Sequence, residues 1–488
     1  MTAVPFKLFS FSGKMKILHL SWIAFFVSFV VWFNLAPMLK AIQETFGLSK
    51  AQISTLLVLN VALTIPARVL IGMLTDRYGP RRVYSALLVS MSLPCMAFAL
   101  AESYTQLAMA RFALGFIGAG FVVGIRMVSE WFPHNELGTA EGIYGGWGNF
   151  GSAAAAFTLP TVALLFGGDH GWRYAIAVTA LMSLVVGIIY FFQARDTPEG
   201  STYFKPRQSG AMEITSRRDF WFLLAMKVPM YLALGILAWR LSPANLDMIG
   251  QPASLAIYGL LVALYLVEVA LVWKVNKRVF SEQTPAIQRY DFSQVAVLNL
   301  LYFATFGSEL AVVSMLPLFF ADSFALSAVA AGMLASGYAF MNLMSRPGGG
   351  FLSDRFGRKR TLMWLTAGLS LGYLLMSNVD GSWPIVLAVI AVMACSFFVQ
   401  AGEGAVFAVV PLIKRSQTGQ IAGMTGAYGN VGAVTYLLVY SMVDAQSFFL
   451  VIAATSAVGF LALFALKEPQ GEIAEVAEDG SVQMIAVS

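Results

Sequence analysis

Two arginines stand at equivalent places in two copies of one sequence pattern. The copies read Arg68-x3-Gly72-x3-Asp76-Arg77-Tyr78-Gly79 and Arg346-x3-Gly350-x3-Asp354-Arg355-Phe356-Gly357. A guanidinium stays charged at physiological pH, and its planar fork of N–H donors matches the oxygens of a small planar oxyanion. The pair therefore predicts an anion clamp. The alternative is a structural ion pair for each arginine, although neither has an acidic residue within one helical turn.

These arginines belong to a chain dominated by apolar stretches. Of its 488 residues, 58% are hydrophobic and 12% are charged, whereas a soluble domain carries about 25% charged residues. The basic residues inside the apolar stretches are Arg68, Arg111, Arg126, Lys227 and Arg346. A charge at bilayer depth is costly, so each should face a polar cavity or a partner. The composition excludes a soluble enzyme and indicates a polytopic membrane protein.

The apolar stretches form groups of six, two and six. They cover 17–38, 51–75, 82–101, 106–131, 138–166 and 172–194; 219–241 and 252–274; and 293–321, 327–353, 360–378, 383–412, 418–444 and 446–466. About 20 apolar residues cross a bilayer as a helix. We therefore predict an all-α fold with fourteen spans, or twelve if the central pair, which Lys227, Pro229 and Glu268 interrupt, does not cross the membrane.

The predicted organisation has four parts. Residues 1–194 and 293–467 form two six-helix halves, 195–292 form a linker with two inserted helices, and 468–488 form a mobile cytoplasmic tail. Lys and Arg concentrate in alternate loops, and cytoplasmic loops carry such an excess. We therefore expect a multi-pass protein of the plasma membrane, here a bacterial inner membrane, with both termini in the cytoplasm. The same loops explain the net charge of +5 without a nucleic-acid partner. The two cysteines and three histidines are scattered, so we expect neither a metal nor a cofactor.

A second repeated pattern supports duplication of the halves. Gly142-x2-Gly145-x2-Gly148-Asn149-x-Gly151 recurs as Gly423-x2-Gly426-x2-Gly429-Asn430-x-Gly432. Two patterns repeated in the same order predict homologous parallel halves, with a substrate near the midplane between them. The glycines favour close helix packing. Asn149 and Asn430 need partners inside apolar helices, and their amides can donate to an oxyanion.

The repeated arginine pattern leads into a loop that resembles a signature of the major facilitator superfamily. The resemblance covers Gly72 to Arg82 and, in the second half, Gly350 to Arg360. It implies a cytoplasmic loop that helps latch one conformation, so Gly72, Asp76, Arg77, Gly350, Asp354 and Arg355 are expected to be latch residues. Arg111, with Gly115 and Gly118, matches the superfamily's fourth-helix motif linked with energy coupling. A structural role for Arg111 is the alternative.

The finer resemblance is to the nitrate/nitrite porter family. Gly145–Gly151 and Gly426–Gly432 look like its two nitrate signatures, and Leu301–Gly307 resembles its seventh core helix. The resemblance implies that Arg68 and Arg346 are substrate arginines, that Phe29, Phe121 and Phe407 wall the ion, and that Tyr302 adds a polar contact. Ordinary core packing is the alternative for each phenylalanine. The expected substrate is nitrate, with nitrite as a second candidate.

Acidic residues in the core spans suggest coupling to protons. Glu309 lies seven residues after Tyr302, on the same helix face, and Glu403 is a second coupling candidate, whereas Glu130 is expected to pair with Arg126. We therefore predict a monomeric secondary transporter, not an enzyme, that imports nitrate with protons by alternating access in the lipid bilayer. The rival interpretations are nitrate/nitrite antiport, transport of another small anion, a fourteen-span cation or drug antiporter, and a non-transporting nitrate sensor.

Overall fold

The structure is a computed structural model of the chain. It describes residues 8–167, 170–206, 210–245, 247, 249–281, 285, 289–326, 328–440, 442–468, 470–476 and 482–486. Eighteen α-helices and two β-strands lie within these ranges. Each predicted apolar stretch contains one helix or a broken pair of helices.

The helices follow the predicted order of six, two and six stretches. The first half contains α1 (Gly13–Phe33), α2 (Leu35–Phe46), α3 (Lys50–Ala62), α4 (Thr64–Tyr78), α5 (Pro80–Ala99), α6 (Tyr104–Leu114), α7 (Gly120–Trp131), α8 (His134–Phe166) and α9 (Gly171–Gln193). The inserted pair is α10 (Arg217–Leu241) and α11 (Gln251–Asn276). The second half contains α12 (Phe292–Phe324), α13 (Ala328–Phe340), α14 (Asn342–Phe356), α15 (Arg358–Met376), α16 (Ile385–Phe407), α17 (Thr418–Tyr440) and α18 (Ala445–Ala462).

Eleven helical runs of the described chain are long and apolar enough to cross a membrane. They include both inserted helices, as the runs Arg217–Leu241 and Gln251–Phe280. The chain is therefore a multi-pass membrane protein built from helices.

The helices that carry the two arginines are broken just before them. The first break lies at Leu63, between α3 and α4, and the second lies at Met341, between α13 and α14. Pro66 contributes to the first break because its ring clashes with the carbonyl four residues earlier, at Ala62. Thr64 lies at this break, and its hydroxyl donates to the Gly115 carbonyl at 2.7 Å. The breaks place Arg68 and Arg346 in the second turns of the short helices α4 and α14.

Each arginine helix packs against a glycine-rich helix of the opposite half. α4 lies along α17, and α14 lies along α8. A Cβ atom on Gly423 would lie 2.5 Å from the Arg68 carbonyl oxygen, and one on Gly142 would lie 2.5 Å from the Arg346 carbonyl oxygen. The repeated glycines therefore allow the halves to approach at backbone distance on both sides of the pseudo-symmetry axis.

The inserted pair packs on the outside of the second half. The Tyr428 hydroxyl of α17 donates to the Met226 carbonyl of α10 at 2.6 Å, and α11 packs against α10. Lys227 Nζ lies 2.7 Å from Glu268 Oε1, and the Tyr231 hydroxyl donates to Glu268 Oε2 at 2.7 Å. Lys227 therefore has a partner within the inserted pair.

The carboxyl-terminal tail differs from the sequence prediction of a mobile end. Strands β1 (Glu472–Val476) and β2 (Val482–Ala486) pair antiparallel, with Glu475 opposite Gln483. The prediction was wrong for these residues because β1 contributes a buried carboxylate, Glu475, that the acidic composition of the tail does not distinguish from its exposed neighbours. The described fold is therefore helical apart from this small hairpin.

Candidate substrate site between the two halves

The structure brings Arg68 and Arg346 to the same pair of aromatic rings. The guanidinium carbons lie 5.6 and 5.8 Å from the centre of the Phe121 ring, respectively. They lie 5.1 and 5.8 Å from the centre of the Phe306 ring. Arg68 is 1% exposed and Arg346 is 2% exposed. One cation from each half therefore reaches a shared, buried aromatic centre.

Arg68 is held by carbonyl groups. Its Nη1 donates to the Gly426 oxygen at 2.7 Å, and its Nε donates to the Gly118 oxygen at 3.3 Å. Within the described ranges, no carboxylate lies at ion-pair distance from it. Carbonyl dipoles stabilise the guanidinium without neutralising it, so Arg68 keeps a full positive charge for an anion.

Arg346 has acidic partners, unlike Arg68. It forms an ion pair with Glu403 of α16, and its Nη2 lies 3.9 Å from Glu309 Oε2 of α12. The same Nη2 donates to the Tyr302 hydroxyl at 3.3 Å. A search within one helical turn misses these acids because they come from neighbouring helices. The two arginines are thus symmetric in position and asymmetric in electrostatics.

Three of the predicted aromatic residues form one cluster. The Phe407 ring lies 4.6 Å from the Phe121 ring and 4.8 Å from the Tyr302 ring, nearly perpendicular to both. Phe121 and Tyr302 are almost parallel at 6.3 Å. Phe306, which sequence analysis missed, stacks on Tyr302 at 5.1 Å. Its position four residues after Tyr302, on the same helix face, was the available signal.

Phe29 lies outside this cluster. Its ring is 4.6 Å from Phe25, and Phe25 lies 5.3 Å from Phe121. A Cβ atom on Gly151 would lie 2.9 Å from the Phe29 Cβ, so this side chain fills the contact between α1 and α8. In this conformation Phe29 is a packing residue one layer behind the site.

The two signature asparagines carry unsatisfied polar atoms. The Oδ1 atoms of Asn149 and Asn430 are buried without a hydrogen-bond partner. Asn430 Nδ2 donates to the Gly426 oxygen at 3.1 Å, the same oxygen that accepts from Arg68. Asn149 lies one turn after Gly145, where a Cβ atom would be 3.2 Å from Arg346 Nη1. Buried polar groups are normally paired. These oxygens can only accept hydrogen bonds, so an oxyanion would have to bind the Nδ2 groups of the two amides instead.

The aspartates of the repeated loop join the halves at one end of the bundle, which we call the latch end. Asp76 of α4 accepts hydrogen bonds from the Gly419 and Gln420 N–H groups of α17, both at 2.8 Å. Arg126 Nε lies 3.6 Å from the same carboxylate. The carboxylate therefore caps the first turn of a helix in the opposite half.

Asp354 makes the reciprocal contact. It accepts from the Gly138 N–H at 2.9 Å, from the Thr139 N–H at 2.6 Å and from the Thr139 hydroxyl at 2.7 Å. Arg358 pairs with Asp354 and also donates to the His134 carbonyl. Both repeated aspartates thus hold the latch end closed.

The other repeated loop residues support this contact from their own helices. A Cβ atom on Gly72 would overlap the Gly419 carbonyl, and one on Gly350 would overlap the Gly138 carbonyl. The Arg77 guanidinium lies 5.2 Å from the Tyr78 ring, and that of Arg355 lies 5.8 Å from the Phe356 ring. The glycines permit the closed interface that the aspartates hold.

The remaining buried arginines stabilise structure away from the aromatic cluster. Arg126 Nη2 lies 2.9 Å from Glu130 Oε1, as predicted, and Glu130 Oε2 lies 3.1 Å from Arg415 of the second half. Arg111 donates to Asn34 Oδ1 at 3.1 Å and to the Trp32 carbonyl. These contacts place Arg111 at the break between α1 and α2.

Two repeated helical halves, joined at one end and enclosing a buried cationic centre, define a secondary transporter of the major facilitator type. The family model of the Major Facilitator Superfamily matches residues 21–284 and 298–486. The chain belongs to this superfamily and, within it, to the nitrate/nitrite porter family.

Named relatives support the finer placement. The chain is 50% identical to the nitrate/nitrite transporter NrtP of Picosynechococcus sp., over 98% of both chains. It is 45% identical to NrtP of Nostoc punctiforme, over 97% of this chain and 96% of the relative. The crystal structure of the human organic anion transporter MFSD10 (TETRAN) matches with a TM-score of 0.62 and 15% identity, covering 93% of this chain and 100% of that one. That structural likeness concerns the fold alone.

Proposed function

We propose that this protein imports nitrate, with nitrite as a second substrate, by alternating access. The observation that carries the proposal is the placement of Arg68 and Arg346, one from each half, against the same Phe121 and Phe306 rings. A planar monoanion can accept N–H donors in its plane while its faces lie against aromatic rings. The relatives named as nitrate/nitrite transporters support this choice among small anions.

Arg68 provides the charge that attracts the anion. It donates to the carbonyl oxygens of Gly118 and Gly426 and has no described carboxylate at ion-pair distance, so the anion does not have to displace a carboxylate from it. Asn430 shares its carbonyl acceptor, and Asn149 lies beside the opposite arginine. Each amide nitrogen carries two N–H donors, so Asn430 could donate to the anion while it keeps its hydrogen bond to the Gly426 oxygen.

Arg346 provides the link to protons. Nitrate and the Glu403 carboxylate compete for its guanidinium, and a protonated Glu403 has no charge with which to compete. Proton uptake at Glu403 would therefore release Arg346 for the anion, which couples the entry of one proton to the entry of nitrate. Glu309, at 3.9 Å, is the second acceptor for this proton. This arrangement disfavours a cation or drug antiporter, because both buried acids face a cation of the protein itself.

The latch end would face the cytoplasm. We propose fourteen spans, both termini inside a bacterial inner membrane, and a functional monomer. The domain boundaries remain residues 1–194, 195–292, 293–467 and 468–488. With the latch closed, the site would open to the outside, and import would require the Asp76 and Asp354 contacts to break after the anion binds.

The test is uptake of isotopically labelled nitrate into proteoliposomes that contain the purified protein. Uptake should increase when an inward proton gradient is imposed, with no anion inside. Uptake that occurs only against internal nitrite would replace symport with nitrate/nitrite exchange. Absence of uptake under both conditions, with protein that remains folded and inserted, would overturn the proposed substrate.

A further inference from the structure

The hairpin formed by β1 and β2 buries a charged side chain against the second half. Glu475 is 1% exposed, although it belongs to an acidic chain terminus. Its Oε2 lies 3.1 Å from Lys414 Nζ, and its Oε1 accepts from the Ser416 N–H at 3.3 Å. Lys414 Nζ also donates to the Ala474 carbonyl at 3.2 Å. A glutamate is rarely buried unless it is paired in this way.

The segment to which Glu475 binds belongs to the latch end. Arg415, between the two residues that contact Glu475, forms the ion pair with Glu130 of the first half at 3.1 Å. Gly419, four residues after Arg415, donates to Asp76. The hairpin is therefore attached to the second-half segment that contains Arg415 and Gly419, which contact Glu130 and Asp76 of the first half.

The other strand of the hairpin reaches the junction of the two halves. Ile485 and Ala486 line a cavity of 230 Å³ together with residues of both halves. The first half contributes Ser129, Phe132, Pro133, His134 and Leu137, and the second contributes Pro411, Leu412 and Arg415. Opening the latch end would separate these two groups, so the hairpin could remain next to only one of them.

The start of the tail is fixed as well. The Glu468 carboxylate accepts from the Arg358 and Lys359 N–H groups, both at 2.6 Å, and so caps α15. Asp196, which follows the last helix of the first half, accepts from the Arg81 N–H of α5 at 2.7 Å. Burial raises the pKa of Asp196 above its ordinary value. Asp196 is thus the first-half counterpart of Glu468. The chain continues from Asp196 into the linker, and from Glu468 into the hairpin.

We propose that the carboxyl-terminal hairpin is a strap that stabilises the closed latch end and must detach from one half before that end opens. Its lock is the Glu475–Lys414 ion pair, and across the shared cavity it faces the first-half residues Ser129, Phe132, Pro133, His134 and Leu137. The strap acts on the conformational equilibrium, so it does not depend on which anion the transporter carries. It makes the tail a regulatory element, because any change that frees Glu475 favours opening.

Distance measurements between spin labels on the full-length protein in lipid nanodiscs test the strap. Arg82→Cys and Arg360→Cys place exposed labels at the starts of α5 and α15, on opposite halves of the latch end, and the native Cys95 and Cys395 are buried. The test variants are Glu475→Gln and Lys414→Gln. The matched control is Glu472→Gln, an exposed glutamate on the same strand. All samples are measured without nitrate.

We expect Glu475→Gln and Lys414→Gln each to increase the ratio of long to short label distances about two- to fivefold, the range that loss of one partly exposed ion pair can produce. Glu472→Gln should give the wild-type distribution. Wild-type distributions for both test variants would overturn the strap, as would an equal shift in the control. The label distances are measured without transport. A negative result would therefore overturn the strap without bearing on the proposed substrate.

Discussion

The guanidinium of Arg346 forms an ion pair with Glu403, while its counterpart Arg68 in the other half donates to the carbonyl oxygens of Gly118 and Gly426 and has no described carboxylate at ion-pair distance. Duplication gave both halves a buried arginine at the same depth, and the acids at one of them break the symmetry. In the proposed mechanism, Arg68 can attract an anion at all times, and Arg346 becomes available only when its carboxylate partner is neutralised. The first two predictions concern this difference.

Replacement of Arg68 by Lys should lower the affinity for nitrate more than replacement of Arg346. Lysine keeps the charge but loses the planar fork, and loss of charge-assisted hydrogen bonds worth about 1.5–3 kcal/mol corresponds to roughly 10- to 150-fold in affinity. The measurement is the concentration dependence of labelled nitrate uptake, at matched expression. Arg218→Lys, at an exposed position, serves as the control. Unchanged affinity in both Arg68→Lys and Arg346→Lys would contradict the clamp.

Replacement of Glu403 by Gln should remove most of the proton dependence of uptake. Glutamine resembles a permanently protonated glutamate, so Arg346 loses its direct carboxylate partner at every pH. Wild-type uptake should rise as the external pH falls, since protonation frees Arg346, whereas the Glu403→Gln rate should keep only the weak dependence that Glu309 supplies. Glu309→Gln provides the comparison and should retain part of the dependence, because Glu309 lies 3.9 Å from Arg346. A wild-type pH profile in Glu403→Gln would exclude Glu403 as the coupling residue.

Replacement of Phe306 by Leu should weaken nitrate binding, whereas the same change at Phe29 should not. Phe306 faces both guanidiniums, and loss of a desolvated cation–π contact worth about 0.5–2 kcal/mol would displace them and reduce affinity roughly 2- to 30-fold. Phe29 packs against Gly151 and Phe25. Binding measured by quenching of intrinsic fluorescence compares the two variants. Equal effects at both positions would indicate that aromatic packing in general, rather than contact with the arginines, sets the affinity.

Replacement of Asp76 or Asp354 by Ala should open the latch end. Each change removes at least two hydrogen bonds from the opposite half, and each such bond to a charged group contributes about 1.5–3 kcal/mol. The spin-label pair at positions 82 and 360 should report longer distances in both variants. Asp380→Ala, in the exposed turn between α15 and α16, should behave as wild type. Opening in only one of the two variants would show that the reciprocal contacts are not equivalent.

The sequence was sufficient to predict the helical order, the arginine pair and three of the four aromatic residues of the cluster. Spacing along one helix indicates which side chains share a face, and repetition indicates which positions are equivalent. The acidic partners of Arg346 were beyond such reasoning, because Glu403 and Glu309 lie on two other helices. The burial of Glu475 could not be predicted either, because it depends on Lys414, some sixty positions away in the chain.

The carbonyl oxygen of Gly426 accepts hydrogen bonds from both Arg68 and Asn430. Gly426 lies inside α17, so its carbonyl oxygen also accepts a backbone N–H of the helix and stays paired if Arg68 turns toward an anion. Recruiting Arg68 would therefore not incur the cost of an unsatisfied buried carbonyl, about 1–3 kcal/mol. In the proposed mechanism, the same oxygen holds Arg68 in the empty site and loses no obligatory hydrogen bond when the substrate binds.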